Sequence, residues 1–146
     1  MSKHPLTPFT ELAVRFRGNV INIWVLSATG TAAEKAAFLT EHARSKGFIS
    51  RDTPVPGSAL NEWGKRKLSP MWAALAAFDL LIKSGWKPDT HTEWAGFAAL
   101  LIRLRPDDEW EGICSSLPEG IPRDVAAGWL VAAIEEDHHY RTRKRF

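Results

Sequence analysis

Helix start and stop signals recur along this chain from residue 31 onward, and they limit it to short helices. Thr31-Ala32-Ala33-Glu34 matches a capping box, in which Thr and Glu side chains satisfy the first backbone N–H groups of a helix. Gly47 before Phe48 is typical of a helix end, because glycine adopts the left-handed conformation that closes the last turn. The later signals are starts at Ser69-Pro70, Thr90 or Thr92 and Pro122, and stops at Gly85 and Pro106.

Apolar residues between these signals recur at helical spacing, which predicts a mainly α-helical, compact bundle of about five helices. The segment Met71–Lys83 is apolar nearly all round except at Asp79, so we expect it to form a central, buried helix. Trp94, Phe97, Leu101 and Leu104 form one apolar stripe of the next segment. The predicted helices cover residues 31–46, 59–67, 71–83 and 90–105, a short segment from residue 107, and a last helix from residue 122.

The segment before residue 31 has a different pattern. Ala13–Arg17 alternates apolar and basic residues, Gly18-Asn19 follows, and Val20–Leu26 is rich in β-branched side chains. Two strands joined by a Gly-Asn turn form a β-hairpin, so we predict an N-terminal hairpin before the helices. The alternative is a helix from Phe9 through Leu26, which Gly18-Asn19 in its middle disfavours.

Chain length and cysteine content bound the class of protein. The chain fits a single domain over residues 1–146, with an extended arm at residues 1–10 and a basic tail at residues 141–146. Cys114 is the only cysteine, which excludes an internal disulfide and indicates a reducing, cytoplasmic location. No signal peptide is recognisable, and the apolar run at residues 71–82 is too short to span a bilayer. Small size with frequent Trp, Ala and Arg suggests a bacterial or phage origin.

Charge is sorted along the chain. Residues 1–67 carry ten Lys/Arg and five Asp/Glu, whereas residues 68–140 carry five Lys/Arg and twelve Asp/Glu. Residues 141–146 add four more positive charges, so the net charge of +2 conceals a dipolar molecule. Such asymmetry is informative about partners rather than about the fold.

The chain has three basic segments, at residues 15–17, 63–67 and 141–145, and the second of them also contains a tryptophan. Cations bind phosphates and release counterions, and an exposed ring stacks on a base, so these segments predict nucleic-acid binding. The alternative is an ordinary solvated surface, and the sequence pI of 8.9 is only mildly basic. The candidate nucleic-acid-binding residues are Arg15, Arg17, Trp63, Lys65, Arg66, Lys67, Arg141, Arg143, Lys144 and Arg145.

An acidic segment surrounds a second tryptophan. Asp107, Asp108, Glu109 and Glu111 flank Trp110, and carboxylates around an indole form a candidate surface for a protein partner. The same residues also suit a helix start, where carboxylates face the positive end of the helix dipole.

A third cluster lies near the C-terminus. Glu135 with His138 or His139 has helical spacing that would place two metal ligands on one face, but no second ligand pair occurs. Histidines at a solvated helix end explain the pattern equally well. We therefore assign no catalytic residue, metal or cofactor.

The sequence predicts a non-catalytic nucleic-acid-binding protein or accessory subunit of a nucleoprotein complex. The alternatives are a protein-binding inhibitor or immunity-type module, which would use the acidic segment around Trp110, and a metal-dependent enzyme.

Overall fold

The computed structural model describes residues 7–105 and 109–144. The described residues form helices joined by short connections and contain no strand. A mainly α-helical fold is therefore confirmed. The helices are α1 (Pro8–Arg17), α2 (Val20–Ser27), α3 (Ala32–Ser45), α4 (Gly57–Arg66), α5 (Met71–Lys83), α6 (His91–Leu104), α7 (Trp110–Ser115) and α8 (Arg123–Lys144).

The chain divides into two compact units. One, the α2–α5 unit, is Arg17–Trp86; the other, the α6–α8 unit, combines Met1–Phe16 with Lys87–Phe146. That the whole chain acts as one domain stays a prediction. Of the predicted extended arm, residues 8–10 already belong to α1, and residues 1–6 lie outside the described part.

Helix α5 is the centre of the α2–α5 unit. It packs against both α2 and α3, and α4 packs against α3 and α2. Small alanines let the helix axes approach closely, while Phe78 and Leu81 fill the remaining space. The prediction of a central buried helix over residues 71–83 is confirmed. Its buried residues are Ala73, Ala74, Ala76, Ala77, Phe78, Asp79 and Leu81.

The α6–α8 unit is built on the packing of α6 against α8. The first three residues of the predicted stripe on α6 are buried and Leu104 is half-buried. Helix α8 contributes Ala126, Leu130 and Ala133 to the core. Phe16 of α1 is 2% exposed and covers Gly96, where a Cβ atom would overlap the phenyl ring. Glycine is therefore required at position 96 for α1 to pack closely on α6.

The predicted N-terminal β-hairpin is wrong, because residues 13–26 lie in α1 and α2. Val20, Ile21 and Trp24 are buried together, which is one face of a helix rather than one face of a strand. Gly18-Asn19 interrupts the helix as a turn between α1 and α2. A Cβ atom at Gly18 would overlap the carbonyl oxygen of Lys67, so the glycine permits a close approach to the end of α4.

Most predicted helix boundaries are confirmed. Thr31 and Thr90 each form a complete capping box, the second with Glu93. Gly47 and Gly85 have positive φ values of 78° and 96°, as the left-handed end of a helix requires. No helix in residues 7–105 and 109–144 is long and apolar enough to cross a membrane.

Candidate functional site

The end of α4 brings one predicted set of residues together. Lys65 and Arg66 lie in its last turn, where cations are stabilised by the negative end of the helix dipole. Lys67 ends the helix in the left-handed conformation, with φ 52° and ψ 41°, and its backbone N–H donates to the carbonyl of Trp63. The chain thus turns sharply just after its basic residues. We call Trp63, Lys65, Arg66 and Lys67 the basic patch.

Two of the cations in the basic patch are unpaired. Lys65 and Lys67 are exposed and form no ion pair with any residue in the described part of the chain. Arg66 differs, because its Nε lies 2.8 Å from Oε1 of Glu62, one helical turn earlier. This pair is exposed on both sides, so the arginine retains most of its attraction for an anion.

The aromatic member of the patch is held in place by a second indole. Trp63 and Trp72 form an edge-to-face pair with ring centroids 5.8 Å apart and planes at 85°. Both residues are half-buried, so neither ring is sealed inside the core. A ring fixed in this way loses little freedom when a ligand contacts it.

An open pocket of about 380 Å³ adjoins the basic patch. Its size falls at the lower end of small-ligand sites. Leu68 lines the pocket, with 65% of its surface exposed. We call this cavity the Trp63 pocket; its lining is Glu62, Trp63, Arg66, Leu68, Ser69 and Pro70.

Ser69 does not play the predicted part of a helix cap. Helix α5 begins at Met71 and Pro70 occupies its N-cap position, so the serine lies one residue too early to reach the first backbone N–H groups. The Oγ atom of Ser69 is buried and has no hydrogen-bond partner among the described residues. A buried hydroxyl without a partner costs about 1–3 kcal/mol, so it is uncommon in native proteins.

The remaining predicted basic residues belong to α1 or to the C-terminal end of the chain. Arg15 and Arg17 were predicted on one face of a strand; on α1 they are two residues apart and so project from different sides of the helix. Arg15 is exposed and Arg17 is half-buried. The backbone of residues 141–144 continues α8, while the side chains of Arg141, Arg143, Lys144 and Arg145 lie outside the described part.

The acidic segment is described in part. Asp107 and Asp108 lie outside the described residues. Glu109 is the N-cap residue of the short helix α7, and Glu111 lies in its first turn. Trp110 between them is 41% exposed, and both glutamates are exposed as well. The described half of this segment therefore does form a surface that combines an indole with carboxylates.

The C-terminal cluster separates in the structure. Glu135 and His138 are exposed on α8, whereas Glu136 accepts a hydrogen bond of 3.0 Å from Thr10 of α1. The side chain of His139 lies outside the described part. Within the described residues, no group of three or more His, Cys, Asp or Glu side chains is placed to hold a metal ion.

Sequence reasoning missed one polar cluster. Nε2 of His42 on α3 lies 2.7 Å from Oδ2 of Asp79 on α5, and Nζ of Lys83 lies 3.0 Å from the same oxygen. Burial alone raises the pKa of Asp79, but hydrogen bonds from Lys83 and His42, together with their charges, hold that pKa below its usual value. The signal in the sequence is Asp79 itself, the one charged residue inside an apolar helix.

This cluster has the chemistry of a structural link. The His42–Asp79 pair connects two helices and satisfies a carboxylate that would otherwise be buried without a partner.

The chain was compared with protein-family models, curated proteins and solved structures, and none of them matches it.

Proposed function

We propose that this protein is a non-catalytic nucleic-acid-binding module that uses the basic patch. The observation that carries the proposal is the pair of exposed, unpaired cations, Lys65 and Lys67, next to the fixed indole of Trp63. Free cations gain most from phosphate, because binding releases counterions from the nucleic acid without breaking an ion pair in the protein. An adjacent indole adds a surface on which a base can stack.

The charge of the α2–α5 unit supports the same proposal. Its sequence contains nine Lys/Arg and five Asp/Glu, whereas the remaining residues contain ten and twelve. A positively charged unit attracts a polyanion over a distance of several ångströms at low salt. The burial of α5 excludes a helix-turn-helix in which α5 would enter a DNA groove, since its residues face the core on nearly every side.

The test measures binding of a fluorescein-labelled 15-nucleotide DNA strand by polarisation over a range of salt concentrations. The variant is Lys65→Gln/Lys67→Gln, which removes both unpaired cations. The matched control is Arg103→Gln/Arg105→Gln, which removes the same charge from exposed positions at the end of α6. Loss of two phosphate contacts lowers the slope of log affinity against log salt by about 1.4–1.8, while the control leaves the slope near that of the wild type.

Two results would overturn the proposal. The first is an absence of binding to single-stranded and double-stranded DNA and RNA at low salt. The second is an equal fall in affinity and in the slope of log affinity against log salt in both double variants. Binding would then respond to the net charge of the protein and not to the position of the basic patch.

A second function rests on a separate observation. Trp110 is 41% exposed between the exposed carboxylates of Glu109 and Glu111, which suits a basic protein partner. Affinity purification of the tagged full-length chain from its native host is expected to recover such a protein, and Trp110→Ala is expected to release it. Val131→Ala, at a similarly exposed apolar position on α8, serves as the control. Recovery of the same protein with Trp110→Ala would refute this function.

A further inference from the structure

We infer that the Trp63 pocket accepts one unpaired base of a single-stranded nucleic acid. This inference rests on the proposed function and makes it more specific, because it assigns the bases and the phosphates to different parts of the surface. Phosphates contact the basic patch, and a base enters the cavity beside it.

The charge of the lining determines which part of the nucleotide enters. The two unpaired cations, Lys65 and Lys67, do not line the pocket, whereas Glu62 and Arg66 both do, and these two pair with each other at 2.8 Å. The lining therefore carries no net charge, and a phosphate gains more from the unpaired cations outside the pocket than from the paired arginine inside it. A neutral base needs no net charge in the lining, and a base that carries an amino group donates it to the carboxylate of Glu62.

The shape and polarity of the walls suit the face of a base. Trp63, Leu68 and Pro70 supply apolar surface, and the edge-to-face contact with Trp72 fixes the indole in advance. Stacking on an aromatic side chain needs a base whose face is accessible. In a duplex both faces of each base are covered by neighbouring base pairs, so the pocket selects single strands.

Ser69 is a further polar residue of the lining, besides Glu62 and Arg66. Its hydroxyl can donate one hydrogen bond and accept others, yet its Oγ atom is buried and the described residues offer it no partner. The edge of a base carries both donors and acceptors, so a base that enters far enough to uncover the Oγ atom provides what the free protein leaves unsatisfied. The cost of the buried hydroxyl in the free protein is then recovered on binding.

The experiment compares three fluorescein-labelled ligands by polarisation at one low salt concentration: a strand of fifteen thymidines, an abasic strand with the same phosphates, and a duplex of the same length. We expect the thymidine strand to bind about tenfold more tightly than the abasic strand. The variant Trp63→Leu is expected to remove most of that ratio and to leave the affinity for the abasic strand unchanged. Ser69→Ala is expected to lower the ratio about threefold.

The outcomes separate the inference from the proposed function. If none of the three ligands binds, both fail. If the abasic strand or the duplex binds as tightly as the thymidine strand, the proposed function stands and the base pocket is refuted. An unchanged ratio in Ser69→Ala also refutes it; that variant breaks no hydrogen bond within the described residues, so it remains a valid test if Trp63→Leu fails to fold.

Discussion

Replacement of Ser69 by alanine is expected to stabilise the free protein, although most substitutions at buried atoms destabilise. The hydroxyl of Ser69 is buried and has no partner among the described residues, so its removal breaks no hydrogen bond there. Ser69 also lines the Trp63 pocket, and the loss of a single oxygen atom leaves too little space for a large cavity cost.

An unsatisfied buried hydroxyl costs about 1–3 kcal/mol, and its removal relieves that cost. The van der Waals contacts of the oxygen atom are lost at the same time, which offsets part of the gain. We therefore expect a gain of about 1 kcal/mol in the free energy of unfolding. For a protein of this size, that gain raises Tm by about 2–4 °C.

The assay is urea unfolding followed by tryptophan fluorescence, with Ser50→Ala as the control. Ser50 lies exposed in the connection between α3 and α4, and its substitution is expected to change stability by less than about 0.5 kcal/mol. A loss of about 1 kcal/mol or more in Ser69→Ala would show that the hydroxyl already has a hydrogen-bond partner in the free protein, and would remove the reason for assigning it to a base.

Four further substitutions test the fold. Gly96→Ala is expected to destabilise by about 1–3 kcal/mol, because its Cβ atom overlaps Phe16, whereas Gly128→Ala on an open face of α8 is expected to stabilise by about 0.5–1 kcal/mol; chemical unfolding gives both values. Thr31→Ala removes a capping box and is expected to cost about 1 kcal/mol in the same assay. The pKa of Asp79 lies below its usual value in the folded state, so its ionised form stabilises the fold above pH 3.8 and this stabilisation is lost as the pH falls through the folded pKa. Between pH 7 and pH 2.5 the free energy of unfolding is therefore expected to fall less in Asp79→Asn than in the wild type, as chemical unfolding at each pH measures.

Local signals in this sequence were sufficient for most helix ends. The capping boxes at Thr31 and Thr90 and the left-handed glycines at 47 and 85 act within a few residues, so no knowledge of the fold is needed to recognise them. The apolar segment 71–83 was also identified correctly, because a helix that is apolar on nearly every side has no stable place except the core.

The N-terminal segment was misassigned because β-branched residues favour both strands and buried positions. Val20 and Ile21 are neighbours in the chain and are both buried, which an alternating strand on one sheet face does not allow. Their burial depends on the contact between α2 and α5, which is a tertiary feature. Packing therefore decided the structure of a segment whose local preference was ambiguous.

For the candidate site, the sequence predicted the residues of the basic patch, Trp63 included, but not the pocket beside it. Lys65, Arg66 and Lys67 are adjacent in sequence, so their grouping was certain before the fold was known. The pairing of Trp63 with Trp72, nine residues further on, depends on how the chain turns between α4 and α5. The pocket depends on the same turn, in which Pro70 rather than Ser69 is the N-cap residue of α5 and the hydroxyl of Ser69 has no partner among the described residues.

That turn is held by the segment that the sequence assigned to a hairpin. Gly18 packs directly against the carbonyl of Lys67, and Nδ2 of Asn22 donates to the carbonyl of Gly64 at 3.3 Å. A Cβ atom at Gly64 would overlap the side chain of Asn22, so both glycines are needed for α2 to contact the end of α4. The basic patch is therefore supported from behind by a helix, which holds its cations and indole in one arrangement before any ligand arrives. It follows that changes at Gly18 or Gly64 should weaken nucleic-acid binding without touching a residue that contacts the ligand.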